Sequence, residues 1–444
     1  MNYEERLQNV SVLGAAGKMG SGILLLTALE MADLSLKPEG KGKKYVINAI
    51  DVSDEALKGL MKYLRTQVLK AAEKKIVALR SIYKDHPALI ENSEIIDQYV
   101  TDVISLVMPS TRLEAALDSL LIFEAIKEDP ALKVKIFSYL IENNPHQPWF
   151  FTNTSSIPIG ELDEKAKLGG RIIGFHFYNP PAVQKLVEVI PAKNTLKEVH
   201  EFALAYAKNL RKVVVPSNDV AGFIGNGHFM RDILYATREV EKLQKEFGFV
   251  EAVYAMNRIS QDYLIRPMGI FQLIDYVGVD VCSYILSVMQ SYMKKEELHC
   301  PLLDQMLASN IRGGQYPDGS QKDGILKYEK GKVTGVFDPE KKDYRMIDEF
   351  KAKVDERLGP MPSAQPWKSI VNNPGKEEIL KAYFDEVKNA KSPGATLTKA
   401  YALKSREIGI NLVTNEVAFN EKDVNTVLLT GFFHAYGPVN DYLK

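Results

Sequence analysis

The chain of 444 residues is long enough for about two or three domains. It has 45% hydrophobic and 25% charged residues, as globular proteins do, and its net charge of −1 gives no global basic field of the kind that marks nucleic-acid binding. Its two cysteines, Cys282 and Cys300, cannot form a disulfide framework or a zinc site and favour a reducing compartment. Because we find no secretory leader and no apolar run of membrane-spanning length, we expect a cytoplasmic protein without a membrane span, nucleic-acid partner or metal site.

From residue 10 to residue 216, short apolar runs alternate with segments of helical periodicity. The apolar runs predict strands at 10–14, 45–51, 104–109, 120–126, 149–156, in RIIGFHF, in KLVEVIP and at 212–216. Segments 37–44 and 80–100 are predicted to be a surface loop and a helical insertion. Such alternation predicts an α/β fold, a Rossmann-type doubly wound and mostly parallel sheet, in residues 1–216.

After Pro216 strand patterns become rare, so we predict an all-helical C-terminal region that begins near residue 217. A stretch rich in Pro, Gly and Asn at 359–375 predicts a linker. Segments 239–276 and 407–442 each read as a helix, a turn, a second helix and a Gly/Pro turn ending in Asp-Tyr. We therefore predict a helical domain at 217–330 and a second, diverged helical domain at 331–444, although coincidence between two helical hairpins remains open.

The run GAAGKMG at 14–20 lies between a predicted strand and a predicted helix. Glycines in this position permit a tight turn and close approach to a pyrophosphate, which the helix N-terminus attracts. Asp51 ends the second strand, where a carboxylate accepts hydrogen bonds from an adenosine ribose and repels a 2′-phosphate, so we predict NAD rather than NADP as the cofactor. The residues predicted to contact it here are Gly14, Gly17, Lys18, Met19, Gly20 and Asp51. The alternative is a purely structural turn.

The stretch GFHFYNPPAVQKLVEVI at 174–190 places an ionisable residue in each of two apolar runs. A dinucleotide-binding domain indicates hydride transfer, which needs a base for the hydroxyl proton of the substrate. His176 suits that role near neutral pH, and a carboxylate from Glu188 would fix its tautomer. The alternative is a core histidine satisfied by hydrogen bonds, with no role in chemistry.

In its motifs and their order the sequence resembles the 3-hydroxyacyl-CoA dehydrogenases of fatty-acid β-oxidation. The resemblance covers roughly residues 8–330 and rests on GAAGKMGSG, LIFEAIKED, TNTSSIPI, GFHFYNPPAVQKLVEVI, GFIGN and PMGIFQLIDYVG, in the order of the family. It implies that His176 is the general base and Glu188 its partner. It also implies that Ser155 and Asn226 contact the substrate oxygens and that Asn179 assists in substrate binding.

For the cofactor, the resemblance implies that Glu128 lies near the nicotinamide and that Lys135 of KVKIF is the neighbouring cofactor-binding lysine. It implies NAD-dependent oxidation of L-3-hydroxyacyl-CoA to 3-ketoacyl-CoA, in fatty-acid β-oxidation or 3-hydroxybutyryl-CoA metabolism. A separate enoyl-CoA hydratase or thiolase is a possible partner, and the chain is expected to be a monomer or a homodimer. Two alternatives stay open: a non-catalytic NADH-binding relative, and a 3-hydroxyacid dehydrogenase that does not use coenzyme A.

Overall fold

The computed structural model describes residues 2–316, 319–363 and 365–444. The chain divides into two compact units, Met1–Asp219 and Val220–Lys444. The N-terminal unit is the predicted α/β domain, and the C-terminal unit is the predicted helical region.

The N-terminal unit is built on an eight-stranded sheet of order β3-β2-β1-β4-β5-β6-β7-β8. The strands are β1 Asn9–Leu13, β2 Val46–Ile50, β3 Val107–Ser110, β4 Leu121–Glu124, β5 Trp149–Thr152, β6 Ile172–Phe177, β7 Leu186–Pro191 and β8 Val213–Pro216. Strands β1 to β6 are mutually parallel, β7 is antiparallel to β6, and β8 is parallel to β7. The order of the first six strands is that of a dinucleotide-binding fold, which confirms the predicted fold class.

Helices cover the sheet of this unit. They are α1 Tyr3–Arg6, α2 Lys18–Ser35, α3 Asp54–Ile82, α4 Asn92–Ser105, α5 Pro130–Asn143, α6 Ile159–Ala166 and α7 Lys197–Asn209, with 3-10 turns at Pro38–Gly40 and Leu113–Ala116. Strands β4, β5 and β6 are buried along their whole length, as expected for strands covered on both faces. The predicted helical insertion at 80–100 contains the end of α3, a connecting segment and the first part of α4.

The carboxyl ends of β1, β4, β5 and β6 meet at one edge of the sheet, because these strands are parallel neighbours. Between β1 and β4 the direction of strand succession reverses, and ligands of open α/β sheets bind at such a point. The fold therefore gathers the segments that follow these four strands.

The C-terminal unit is mainly helical. Its helices are α8 Gly225–Phe247, α9 Phe249–Arg258, a π-helical turn Ile259–Tyr263, α10 Ile270–Val277, α11 Val279–Tyr292, α12 Pro301–Ala308, a 3-10 turn Ile347–Glu349, α13 Lys351–Leu358, α14 Trp367–Ile370, α15 Lys376–Asn389, α16 Pro393–Thr414 and α17 Glu421–Gly431. It also contains an antiparallel sheet of three strands, β9 Leu326–Glu329, β10 Lys332–Asp338 and β11 Asp343–Met346, which the sequence analysis did not predict.

The tail of the chain is part of this unit, since α16 and α17 both pack on α8. Buried polar groups join them: Arg266 pairs with Asp232 of α8 at 2.7 Å, and its guanidinium lies 3.3 Å from the hydroxyl of Ser405 in α16. In the part of the chain that the structure describes, no single helix is long and apolar enough to cross a membrane, and the bent pair α10–α11 meets the requirement only by length and composition.

Candidate active site

The turn after β1 is held by close backbone contacts at its glycines. Gly14 has φ +73°, and a Cβ there would lie 2.5 Å from the backbone oxygen of Ala125. A Cβ on Gly20 would lie 2.0 Å from the backbone oxygen of Gly14, so α2 approaches the turn as closely as only glycine allows. Gly17, by contrast, is exposed at the N-cap of α2. Lys18 is exposed and Met19 half-buried in the first turn of that helix.

Asp51 follows β2 directly, and its Oδ2 accepts a hydrogen bond of 3.0 Å from the backbone N–H of Ala16. The predicted ribose-binding carboxylate is therefore attached to the glycine turn itself. The 3-10 turn Pro38–Gly40 and the loop before β2 lengthen the chain segment between the glycine turn and Asp51. This geometry fits a dinucleotide lying along the edge of the sheet.

His176 and Glu188 are cross-strand partners in the antiparallel β6–β7 pair. Nδ1 of His176 lies 2.9 Å from Oε2 of Glu188, and the two residues are 8% and 0% exposed. A carboxylate in this position fixes the imidazole orientation and stabilises its protonated form, as in other histidine bases. Residues predicted to act together from the sequence are thus in direct contact.

Ser155 lies in a loop that is fixed by Glu128. One carboxylate oxygen of Glu128, Oε1, accepts hydrogen bonds from Thr154 Oγ1 at 2.6 Å, from the Ser155 N–H at 2.9 Å, and from the N–H and Oγ of Ser156 at 3.1 and 3.0 Å. Asn153 connects the same loop to the end of β6, because its Oδ1 accepts from the backbone N–H of Phe177 at 2.8 Å. Glu128 therefore sets the position of Ser155 relative to the strand that carries His176.

Lys133, which was not predicted from the sequence as a site residue, also belongs to this network. Its ammonium lies 2.6 Å from Oε1 of Glu124 and 3.2 Å from Oε2 of Glu128, and its side chain is 1% exposed. Burial opposes the charged forms, but the ion pairs outweigh it: they hold the pKa of Glu128 below its ordinary value and raise that of Lys133. Lys135, the residue singled out from the sequence, is exposed on the same helix, so its cofactor contact stays a prediction.

Lys133 escaped sequence analysis because a lysine in an amphipathic helix usually faces solvent. Its spacing of nine residues from Glu124, across the end of β4 and the first turn of α5, was the available signal. Glu124 itself ends β4 fully buried and accepts a second hydrogen bond, 2.6 Å, from Thr152 Oγ1.

The remaining predicted residues lie in both units. Asn179 is half-buried, lies two residues after the end of β6 and precedes Pro180 through a cis peptide bond. Tyr178, which was not predicted as a site residue, lies between Asn179 and the strand. Asn226 is half-buried in the first turn of α8, in the C-terminal unit.

Comparison with known proteins shows which proteins this chain is similar to. Residues 9–220 match the family model for the 3-hydroxyacyl-CoA dehydrogenase NAD binding domain, and residues 222–322 match that for the 3-hydroxyacyl-CoA dehydrogenase C-terminal domain. A probable 3-hydroxybutyryl-CoA dehydrogenase of Bacillus subtilis is 30% identical over 308 residues, which are 69% of this chain and 94% of the relative. The human mitochondrial hydroxyacyl-coenzyme A dehydrogenase is 27% identical over 319 residues, 71% of this chain and 91% of the relative.

Among solved structures, the 3-hydroxybutyryl-CoA dehydrogenase of Escherichia coli matches with a TM-score of 0.63 at 20% identity, over 98% of this chain and 90% of that one. This likeness concerns the fold, and it includes most of the chain after residue 322. Taken with the family models and the sequence relatives, it leads to one assignment: the chain belongs to the 3-hydroxyacyl-CoA dehydrogenase family and is an oxidoreductase that acts on a CH–OH group with NAD.

Proposed function

We propose that the protein catalyses the reversible, NAD-dependent oxidation of L-3-hydroxyacyl-CoA to 3-ketoacyl-CoA, with His176 as the general base. The observation that carries the proposal is the buried contact of 2.9 Å between His176 and Glu188 at the edge of the sheet where the dinucleotide turn lies. The names of the relatives support the substrate class.

The residues around the glycine turn suit a dinucleotide. The glycine turn precedes the N-terminus of α2, whose dipole favours a pyrophosphate, and the contact of Asp51 with that turn supports a role in binding the ribose hydroxyls. When bound, NAD accepts a hydride from C3 of the substrate. Glu128 and the loop that it fixes follow the neighbouring strands β4 and β5, on the side where the family places the nicotinamide.

In the proposed mechanism, Nδ1 of His176 donates its hydrogen bond to Glu188, and Nε2 takes the proton of the substrate hydroxyl as the C3–H bond breaks. The carboxylate of Glu188 stabilises the imidazolium that forms, and in the reverse direction the same nitrogen returns the proton to the ketone oxygen. Ser155 and Asn226 orient the substrate oxygens, and Asn179 assists in binding.

The test measures loss of NADH absorbance with acetoacetyl-CoA, and with acetoacetate as the matched substrate without coenzyme A. We expect turnover with acetoacetyl-CoA and little with acetoacetate. NADH binding without turnover would identify a non-catalytic relative, and equal turnover of both substrates would identify a 3-hydroxyacid dehydrogenase that needs no coenzyme A.

We also propose that residues 391–444 cover, within the same chain, a helical surface through which other members of the family form dimers. The packing of α16 and α17 on α8 supports this, together with the buried contacts of Arg266 to Asp232 and Ser405. The protein would then be a monomer or would dimerise through a different surface, and sedimentation distinguishes the two. Dimerisation through residues 217–330 would contradict the proposal.

We also propose a cytoplasmic setting. Both cysteines are buried free thiols, which suits the reducing cytoplasm. The product of an enoyl-CoA hydratase and the substrate of a thiolase are the two acyl-CoA compounds of the proposed reaction, so either enzyme is a candidate partner. Cell fractionation and co-purification test these two statements.

A further inference from the structure

Tyr178 contacts the same carboxylate oxygen that holds the proposed base. Its hydroxyl donates to Oε2 of Glu188 at 2.8 Å, while Nδ1 of His176 lies 2.9 Å from that atom. The tyrosine and histidine rings also face one another, with centroids 4.9 Å apart and planes at 46°. One oxygen of one carboxylate therefore receives two hydrogen bonds, from residues two positions apart in the chain.

The hydroxyl of Tyr178 stays protonated and keeps donating. Burial and the negative charge of Glu188 raise the pKa of Tyr178 well above its ordinary value. The strand β8 presents only Val215 opposite Glu188, so it brings no charge from that side. Helix α6 packs against β6, and its first two backbone N–H groups, of Ile159 and Gly160, donate to the carboxylate of Asp219.

From this geometry we infer that Tyr178 is a positioning residue of the proposed reaction, which acts through Glu188 to set how strongly the carboxylate holds the protonated form of His176. A donor on Oε2 draws negative charge away from the histidine, because one oxygen then shares its lone pairs between two hydrogen bonds. The inference deepens the proposed function and rests on it.

The sign of the effect follows. When the Tyr178 hydroxyl is removed, Glu188 Oε2 interacts more strongly with Nδ1 of His176. The protonated imidazole then persists to higher pH, and the base form is lost earlier as the pH falls. In Tyr178→Phe the acid limb of the kcat/KM–pH profile for 3-hydroxybutyryl-CoA oxidation should therefore move to higher pH by about half to one unit. This is less than the full strength of one hydrogen bond to a charged group, because Tyr178 acts on His176 only through the carboxylate. Turnover at pH 7 should fall several-fold while KM for NAD stays within about twofold, since Tyr178 is argued to act on the base alone.

Tyr206→Phe is the matched control. Its hydroxyl is also in the N-terminal unit and also makes a hydrogen bond of 2.8 Å, to Thr27, but in the core behind the sheet. Loss of that hydroxyl should lower stability and leave the pH profile where it is. A structural role of Tyr178 alone would give the same result as this control.

A second measurement does not depend on activity. The Nδ1 proton of His176 can be observed by NMR and assigned by its absence in His176→Gln. In Tyr178→Phe it should move downfield, because Glu188 Oε2 then no longer accepts the hydrogen bond of Tyr178 beside this proton. An unmoved acid limb, a shift of that limb to lower pH, or an unmoved Nδ1 resonance would overturn the inference. Inactivity of the wild-type protein toward acetoacetyl-CoA would instead overturn the proposed function and leave the NMR comparison to decide the contact.

Discussion

Replacement of Lys133 with methionine tests the buried charge network beneath the loop of Ser155. Methionine keeps most of the side-chain length but removes the ammonium, and leaves the buried carboxylate of Glu124 and the half-buried carboxylate of Glu128 without their cation. Breaking a buried ion pair in this way costs about 3–5 kcal/mol. For a unit of this size each kcal/mol lowers the midpoint of thermal unfolding by about 2–4 °C, so we expect a decrease of roughly 6–20 °C.

The assay must report on the N-terminal unit alone. The chain has two tryptophans, Trp149 in β5 and Trp367 in α14. In a Trp367→Phe background, fluorescence of the buried Trp149 therefore follows unfolding of the sheet. Lys135→Met is the matched control, since Lys135 is exposed two residues further along α5 and its loss should change stability by no more than about 0.5 kcal/mol.

The pH dependence has a defined sign. The depressed pKa of Glu128 contributes stability above the unfolded value, about 4.3, and that contribution is lost as the pH falls through the folded pKa. The raised pKa of Lys133 contributes stability below about 10.4, and this is lost only as the pH rises through its folded pKa. The difference between wild type and Lys133→Met should thus be largest near neutral pH and shrink below about pH 4. Equal midpoints for the Lys133 and Lys135 variants would refute this reasoning.

Two further substitutions test other parts of the structure. Gly20→Ala places a Cβ 2.0 Å from Gly14 O, so NADH affinity measured by fluorescence should fall at least about tenfold, or about 1.4 kcal/mol. Gly59→Ala, where a Cβ meets nothing within 4 Å, is its control, and equal affinities would contradict the proposed turn. Arg266→Met leaves Asp232 buried without its partner and should lower the unfolding free energy of the C-terminal unit by about 3–5 kcal/mol in chemical denaturation, against a smaller loss for Arg266→Lys. A neutral effect of Arg266→Met would show that the contacts of Arg266 to Asp232 and Ser405 do not stabilise this unit.

The N-terminal fold was predictable because its signals are local. Each strand of the sheet is a short apolar run, and glycines at a strand-to-helix junction mark the turn before α2. The pairing of His176 with Glu188 was also inferred, although on chemical grounds. What the sequence did not state was the antiparallel register of β6 and β7 that makes the two residues direct neighbours.

Other features depend on contacts between distant segments. Strands β9 to β11 lie in a lysine-rich stretch that has little apolar alternation, so periodicity did not reveal them. Asp275 of α10, which lies outside this sheet, holds its first strand in place. Its buried carboxylate accepts hydrogen bonds of 2.7 to 2.9 Å from the N–H groups of Ile325 and Leu326 and from the hydroxyl of Tyr328. Burial raises the pKa of Asp275 to about 7. Tyr178 was missed for a similar reason, because in the sequence it reads as one more aromatic residue of a core strand.

The most direct test of the account is the turnover of His176→Gln with NADH and acetoacetyl-CoA, measured beside its affinity for NADH. The account predicts that turnover falls by about 10²–10⁴-fold, the usual contribution of a general acid or base, while NADH binds within about twofold of wild type. Turnover equal to that of wild type would remove His176 from the chemistry and contradict the proposed mechanism.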